Sequence, residues 1–355
     1  MYQFADTFDH YNTAFLTAQK LYETVGGAPV VSASYARFPA ISGFPSQGLY
    51  LPYNAYVRKN LKSNQPTLIA FMTFGIVALA ATQMIPVLSL LDNGTLQIVL
   101  GVTPTGALQF YKYVPGFNPV LLGPSSALGL IAPTSLPVHG IEIAVTFSAT
   151  VGTVQCWLDG AVVIPLTGGL NTIETANAYA NQVNLGESPS NAQGSGIYTD
   201  YVRVWDATGS YQNAPVGFDC RKLTKLPSGA GVYTQWTPNG AANNWQCVDE
   251  ASPDSDTTYV SSNGNNYDSY SMPASGLLGL PSMVVSKSFA RKDDGATRAL
   301  EVGVLSGASL GLGSPFTLGS TYQWVDACIS LDPATGLPPT AAAVDAYQFL
   351  KYEST

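Results

Sequence analysis

Residues 141–164 read IEIAVTFSATVGTVQCWLDGAVVI, and their alternation decides the fold class. Ile141, Ile143, Val145 and Phe147 interleave with Glu142, Ala144, Thr146 and Ser148, the two-residue period of a strand with one buried and one exposed face. A turn follows at Val151 and Gly152. Beyond it Val154, Cys156 and Leu158 share one side while Gln155 and Trp157 share the other, until Asp159-Gly160 leads into the apolar run 161–164. Asp-Gly between apolar runs marks a tight hairpin, because both central positions of a type I′ turn need positive φ. The stretch therefore reads as three successive antiparallel strands.

Working outward, 87–91 and 95–100 flank Asp92-Asn93-Gly94, a second hairpin of suitable chemistry, and 107–114 follows Thr103-Pro104-Thr105-Gly106. Residues 67–79 form a buried run rich in Ile, Phe and Val, 30–36 alternates, and 1–11, 49–51 and 55–58 read as further strands. Residues 12–24 fit a helix, with Ala14, Ala18 and Leu21 at helical spacing, or a strand. The segments 37–47, 115–137 and 166–196, rich in Pro, Gly or polar residues, read as surface connections, and 197–205 alternates again. Gly209 and Pro215 mark a boundary in 207–216. Past it, strands are expected at 217–226, 283–289, 297–305, 322–331 and 347–352, with a helical turn or two in 340–347.

Composition points the same way. The 355 residues include 34 Gly, 24 Pro and 20 Tyr, favouring an all-β chain with many turns. Charged residues make up 11%, against roughly 25% in an average soluble protein. A net charge of −8 without a basic block argues against nucleic acid or an anionic membrane as partner. Low charge on a large β protein suits a subunit covered by neighbours. The N-terminal MYQFADTFDHY has neither the basic region nor the apolar core of a secretion signal. The uncharged run 63–91 is broken by Thr67, Thr73, Gly75, Thr82, Gln83 and Pro86, which suits buried strands better than a membrane span. Cys156, Cys220, Cys247 and Cys328 are widely spaced, and only His10 and His139 could join them around zinc. Free thiols are expected, with a Cys220–Cys247 bridge left open.

The hairpin closing on W-L-D-G at 157–160, followed by another apolar strand, resembles the concanavalin A-like (laminin G-like) jelly roll, to which many bacteriophage virion proteins are similar. VLSLLDNGTLQIVLGVTPTGALQFYK at 87–112 and DYVRVWDATG at 200–209 are similar to matching regions of that family, and ADTFDHY at 5–11 resembles its opening. GVYTQWTPNGAANNWQCVDEASPDSDTTYV at 231–260 resembles a segment in the C-terminal halves of the same phage proteins. The resemblance implies a concanavalin A-like jelly-roll sandwich over 1–208, a linker at 209–216 and a second, smaller β-sandwich over 217–355. It also implies a non-enzymatic virion structural protein exposed on the particle, tail-associated, fibre-like or a capsid decoration. Its partners would be other virion proteins and copies of itself, a trimer being one such assembly. The alternatives are a lectin-like adhesin recognising a host surface glycan and, less favoured, a polysaccharide hydrolase.

Few residues suggest chemistry. Residues 307–311 fit G-x-S-x-G around Ser309, but no histidine follows His139 to complete a triad. Glycosidases need two carboxylates flanking the scissile bond. Here Glu142 is alone on its strand, and Asp200 and Asp206 sit at a strand end. Asp249, Glu250, Asp254 and Asp256 form the densest acidic stretch and are the candidate ligands for a structural calcium, with no other cofactor expected. A glycan-binding role would draw on Trp157, Tyr198, Tyr201 or Trp236, against core or subunit packing for each. Asn93-Gly94-Thr95 is formally a glycosylation sequon but reads more simply as a turn.

Overall fold

The computed structural model describes residues 2–9, 12–13, 16, 22–37, 46–82, 84–114, 118–186, 195–209, 212–216, 223–276, 281 and 283–354. The expectations for His10, for Cys220, for 217–222 and for most of 12–24 fall outside these residues.

The stretch 141–164 forms His139–Thr146, Gly152–Leu158 and Ala161–Leu170, antiparallel in that order. Asp159 and Gly160 take φ of 50° and 86°, and Asn93 and Gly94 take 46° and 90°, as type I′ hairpin turns require. His139–Thr146 then pairs along its whole length with the buried strand Thr67–Ile76. Thr67–Ile76 carries Val202–Asp206 and Ile197–Thr199 on its other side, so the nine-stranded sheet branches there. One branch ends on Tyr2–Asp6, the other runs through Gly48–Leu51 to Val30–Ser32.

A second sheet runs in the order Asn118–Leu122, Leu108–Val114, Thr95–Val102, Ile85–Asp92, Ala180–Gly186, Tyr56–Gln65 and Thr24–Gly26. The two sheets make a sandwich. Ile141, Ile143 and Val145 bury the same face as Ala70, Met72, Val202 and Val204. A Cβ on Gly186 of one sheet would meet the Ala55 carbonyl oxygen at 2.5 Å and Leu51 Cδ1 of the other sheet at 2.9 Å, at a φ of 83°, so only glycine fits there.

Two compact units divide the chain, the second comprising Leu223–Thr355. Its main sheet is ordered Gly229–Thr234, Tyr267–Ser271, Gln348–Ser354, Ala299–Ser306 and Ser309–Leu312, with Phe316–Thr317 also on Ala299–Ser306. The pair Val284–Ala290 and Gln323–Ile329 packs against it, closing a small core of Leu300, Val302, Leu318, Val325 and Ala327. The helix Ala341–Ala346, capped by the Thr340 hydroxyl, adds Val344 to a neighbouring cluster with Val304, Ile329 and Tyr347.

Several expectations need correction. Residues 115–137 hold the strand Asn118–Leu122, and 166–196 hold the strand Ala180–Gly186 and the end of Ala161–Leu170. The strand expected at 55–58 runs on as the ten-residue Tyr56–Gln65. Residues 223–228 form no strand, so the second unit's first described strand is Gly229–Thr234. Residues 30–36 divide into Val30–Ser32 and a 3-10 turn, Ala33–Tyr35, in which the Ser32 hydroxyl accepts from the Ser34 amide. Residues 212–216 are fastened to the first unit: the Trp205 indole donates to the Ala214 carbonyl, and the Val216 amide donates to Glu142. Cys156, Cys247 and Cys328 are free thiols, as expected of them. Among the described residues no helix is long and apolar enough to cross a membrane.

Candidate functional site

Among the described residues, two edges of the jelly-roll sandwich are left open on one side. Ala161–Leu170 ends the nine-stranded sheet and Asn118–Leu122 ends the seven-stranded one. They approach each other: a Cβ on Gly123 would lie 3.2 Å from Thr167 Cγ2. Neither strand contains a charged residue. Val162 is 52% exposed, Leu166 66%, and Val120 and Leu121, which alternate across their strand, 48% each, so apolar side chains face solvent along backbone that no described strand pairs. Exposed edges are normally guarded by charge, by Pro, by bulges, by shortness or by cover, and of these the two strands have Pro119, Pro165, the register shifts of Ala161–Leu170 and the shortness of Asn118–Leu122, but no charge. Pro119 and Pro165 interrupt the backbone donors here, leaving contact by side chains as the principal route.

The aromatic candidates are not brought together. Trp157 is half-exposed, with Glu142 and Val162 as its register partners. Tyr198 is half-exposed at the opposite end of the sheet, packed with Tyr35 and Tyr50 at centroid distances of 5.4 and 4.8 Å. Spacing that close turns the Tyr50 and Tyr198 faces toward each other. Tyr201 is 8% exposed and lies against Phe71. Trp236 belongs to the second unit, where it packs on the small core, donates its indole N–H to the Asn266 carbonyl and carries the Lys351 ammonium 4.8 Å from its ring centre.

The acidic stretch also divides. Glu250 and Asp254 share the Thr258 hydroxyl at 2.6 and 2.8 Å, whereas Asp256 accepts from the Tyr322 hydroxyl and Arg291. The hydrogen bonds from Tyr322 and Arg291 hold Asp256 below the usual carboxylate range. Among the described residues no three His, Cys, Asp or Glu side chains gather as a metal ion would need.

The other carboxylates are taken up by the fold. Asp200 accepts from the Arg37 amide at 2.8 Å, and Asp206 from Gln3 and from the Thr208 amide and hydroxyl. Glu142 is 2% exposed, 3.8 Å from the Arg203 guanidinium. Arg203 is itself 2% exposed, lying over Trp205 at 4.4 Å and Phe71 at 5.3 Å. Ser309 opens the second strand of a β-hairpin whose turn holds Gly307 at φ 59°, not an elbow between strand and helix. His139 bonds Asp159 at 2.8 Å beside the hairpin turn.

No protein-family model matches the chain, and neither does any curated protein. Among solved structures it is similar to the cellulose-induced protein Cip1, 10% identical with a TM-score of 0.37 over 57% of this chain and 96% of that one. It is also similar to domain 4 of AbnA, an extracellular arabinanase from Geobacillus stearothermophilus, 9% identical with a TM-score of 0.31 over 57% of this chain and 93% of that one. The receptor-binding domain of botulinum neurotoxin type G is 8% identical, with a TM-score of 0.34 over 70% of this chain and 66% of that one. None of these likenesses is close enough to carry a ligand or an activity over to this chain.

Proposed function

We propose that the chain is a non-enzymatic structural subunit, of the concanavalin A-like kind exposed on bacteriophage particles, which assembles with copies of itself and neighbouring virion proteins through the open side of its first sandwich. The observation that carries this reading is the pair of adjoining, uncharged edges at Ala161–Leu170 and Asn118–Leu122 with Val120, Leu121, Val162 and Leu166 exposed. A subunit that buried these two edges would remove their apolar side chains from water. Two identical uncharged bands also meet without the like-charge penalty that a net charge of −8 imposes elsewhere.

The test is sedimentation of the full chain over a range of concentrations. Val120→Lys with Leu166→Lys is expected to weaken self-association at least tenfold while moving stability by no more than about 0.5 kcal/mol, as for surface changes. A wild-type chain that stays monomeric at every concentration overturns the self-assembly, and cryo-EM of the source particle checks the location. The half-exposed Tyr35, Tyr50 and Tyr198 cluster supports a second reading, a host-glycan adhesin. That reading requires a saturable glycan-array signal that Tyr198→Ala abolishes.

A further inference from the structure

Inside the second unit lies a polar cluster for which assembly has no use. Lys351 is 4% exposed and stands across the ladder from Asp268, which is fully buried. Its ammonium sits 4.8 Å from the ring centre of Trp236 and 5.0 Å from that of Tyr270, and among the described residues it makes no hydrogen bond or ion pair. Burying a cation without an acceptor is costly and favours the free amine. Burial accordingly lowers the Lys351 pKa from 10.5 to about 8, against the pull of Asp268 and Cys247.

Asp268 and Trp236, the neighbours of this amine, also hold a carboxamide. Asn244 Nδ2 donates to Asp268 Oδ1 at 3.0 Å and Oδ2 at 2.9 Å, and to the Trp236 carbonyl at 2.9 Å. The Tyr270 hydroxyl donates to Asp268 Oδ2 at 2.5 Å. Burial raises the Asp268 pKa, with these hydrogen bonds and Lys351 working against it, so the group is suited to pass a proton. A desolvated lysine is a nucleophile, the Asn244 side chain is an acyl group, and Asp268 grips the nitrogen that would leave.

We propose that this cluster closes a covalent cross-link, an amide joining Lys351 Nζ to Asn244 Cγ. Nζ swings from above the rings onto Cγ, the Nζ–Cγ bond forms and the Cγ–Nδ2 bond breaks. One proton of the attacking amine passes through Asp268 to Nδ2, which departs as ammonia. Nothing is oxidised or reduced. The product exchanges a buried cation for a neutral amide and ties the last strand of the chain to the short helix Asn244–Cys247. Shared contacts with Trp236 and Asp268 keep the two groups in one cluster, and the swing of Nζ onto Cγ is the motion the proposal requires.

The test is the intact mass of the purified full chain, followed by peptide mapping. The expected mass is that of the sequence less one ammonia, with a branched peptide joining Lys351 to Asn244, and Lys351→Arg and Asn244→Ala are expected to restore the full mass. Asp268→Asn is expected to leave the link unformed or slow by at least tenfold. A folded wild-type chain at full sequence mass overturns the proposal, and that measurement decides even if a variant fails to fold. Ammonia loss mapped to a succinimide, as at Asn93-Gly94, also overturns it, as does loss of water mapped to a Lys351–Asp268 link.

Discussion

Thr258 has one hydroxyl hydrogen and two short carboxylate contacts, 2.6 Å to Glu250 Oε1 and 2.8 Å to Asp254 Oδ2. One hydrogen serves two carboxylates here, and Glu250 is the one whose carboxyl the surroundings push up. Burial foremost, then Asp254 and Asp249, push its carboxyl up against the lowering effect of the Thr258 hydrogen bond. A carboxyl whose folded pKa is raised contributes stability below its unfolded pKa, and loses that contribution as pH rises through the folded value. Glu250→Gln, which keeps a donor toward Thr258 without the charge, is therefore expected to be more stable than wild type at pH 7. The gain should stay under about 1 kcal/mol because the site is part-exposed, and it should vanish as pH falls. Urea midpoints of both proteins across pH check this, and a variant less stable than wild type at every pH refutes it. At this scale the sequence was most readable where one residue type has one conformational use, as at Asp159-Gly160 and Asn93-Gly94. It was silent on Arg203 because the guanidinium stands in an apolar strand and meets Glu142 only through pairing with Thr67–Ile76.

Among the elements, Val202–Asp206 joins charge to packing. Arg203 is sandwiched over Trp205 and Phe71, and Glu142 also accepts the Val216 amide at 2.9 Å. Arg203→Met alone is expected to cost about 3–5 kcal/mol, since it removes the guanidinium 3.8 Å from a buried carboxylate. Adding Glu142→Gln removes that charge while preserving an acceptor for Val216, so the double variant should recover most of the loss. A double-mutant cycle on urea midpoints measures the coupling, and strictly additive costs would show that the pair is not a unit. The strands that escaped sequence reading escaped for related reasons. Ala180–Gly186 lies inside its sheet, yet Gln182 serves the Gly94 amide and Asn60, and Asn184 is buried, so its polar residues hide the alternation. Asn118–Leu122 carries Pro119, which reads as loop but is tolerated on an edge.

For the molecule as a whole, the decisive property is that each unit has a core of its own. Leu90 and Leu91 are buried in the first unit, and Leu300 in the second, within a cluster built entirely from residues after 223. We expect two folding units, and hence two calorimetric transitions in the full chain. Leu300→Ala opens a cavity costing about 2–5 kcal/mol and should lower one transition by on the order of 10 °C while leaving the other in place. Leu90→Ala should do the reverse. The Lys351–Asn244 link, if formed, lies wholly within the second unit, so the Asn244→Ala variant should lower the same transition as Leu300→Ala. Differential scanning calorimetry of the three variants distinguishes the cases. Two core variants that move a single shared transition equally would mean that the chain folds as one cooperative body, and the boundary marked by Gly209 and Pro215 in the sequence would then have no thermodynamic counterpart.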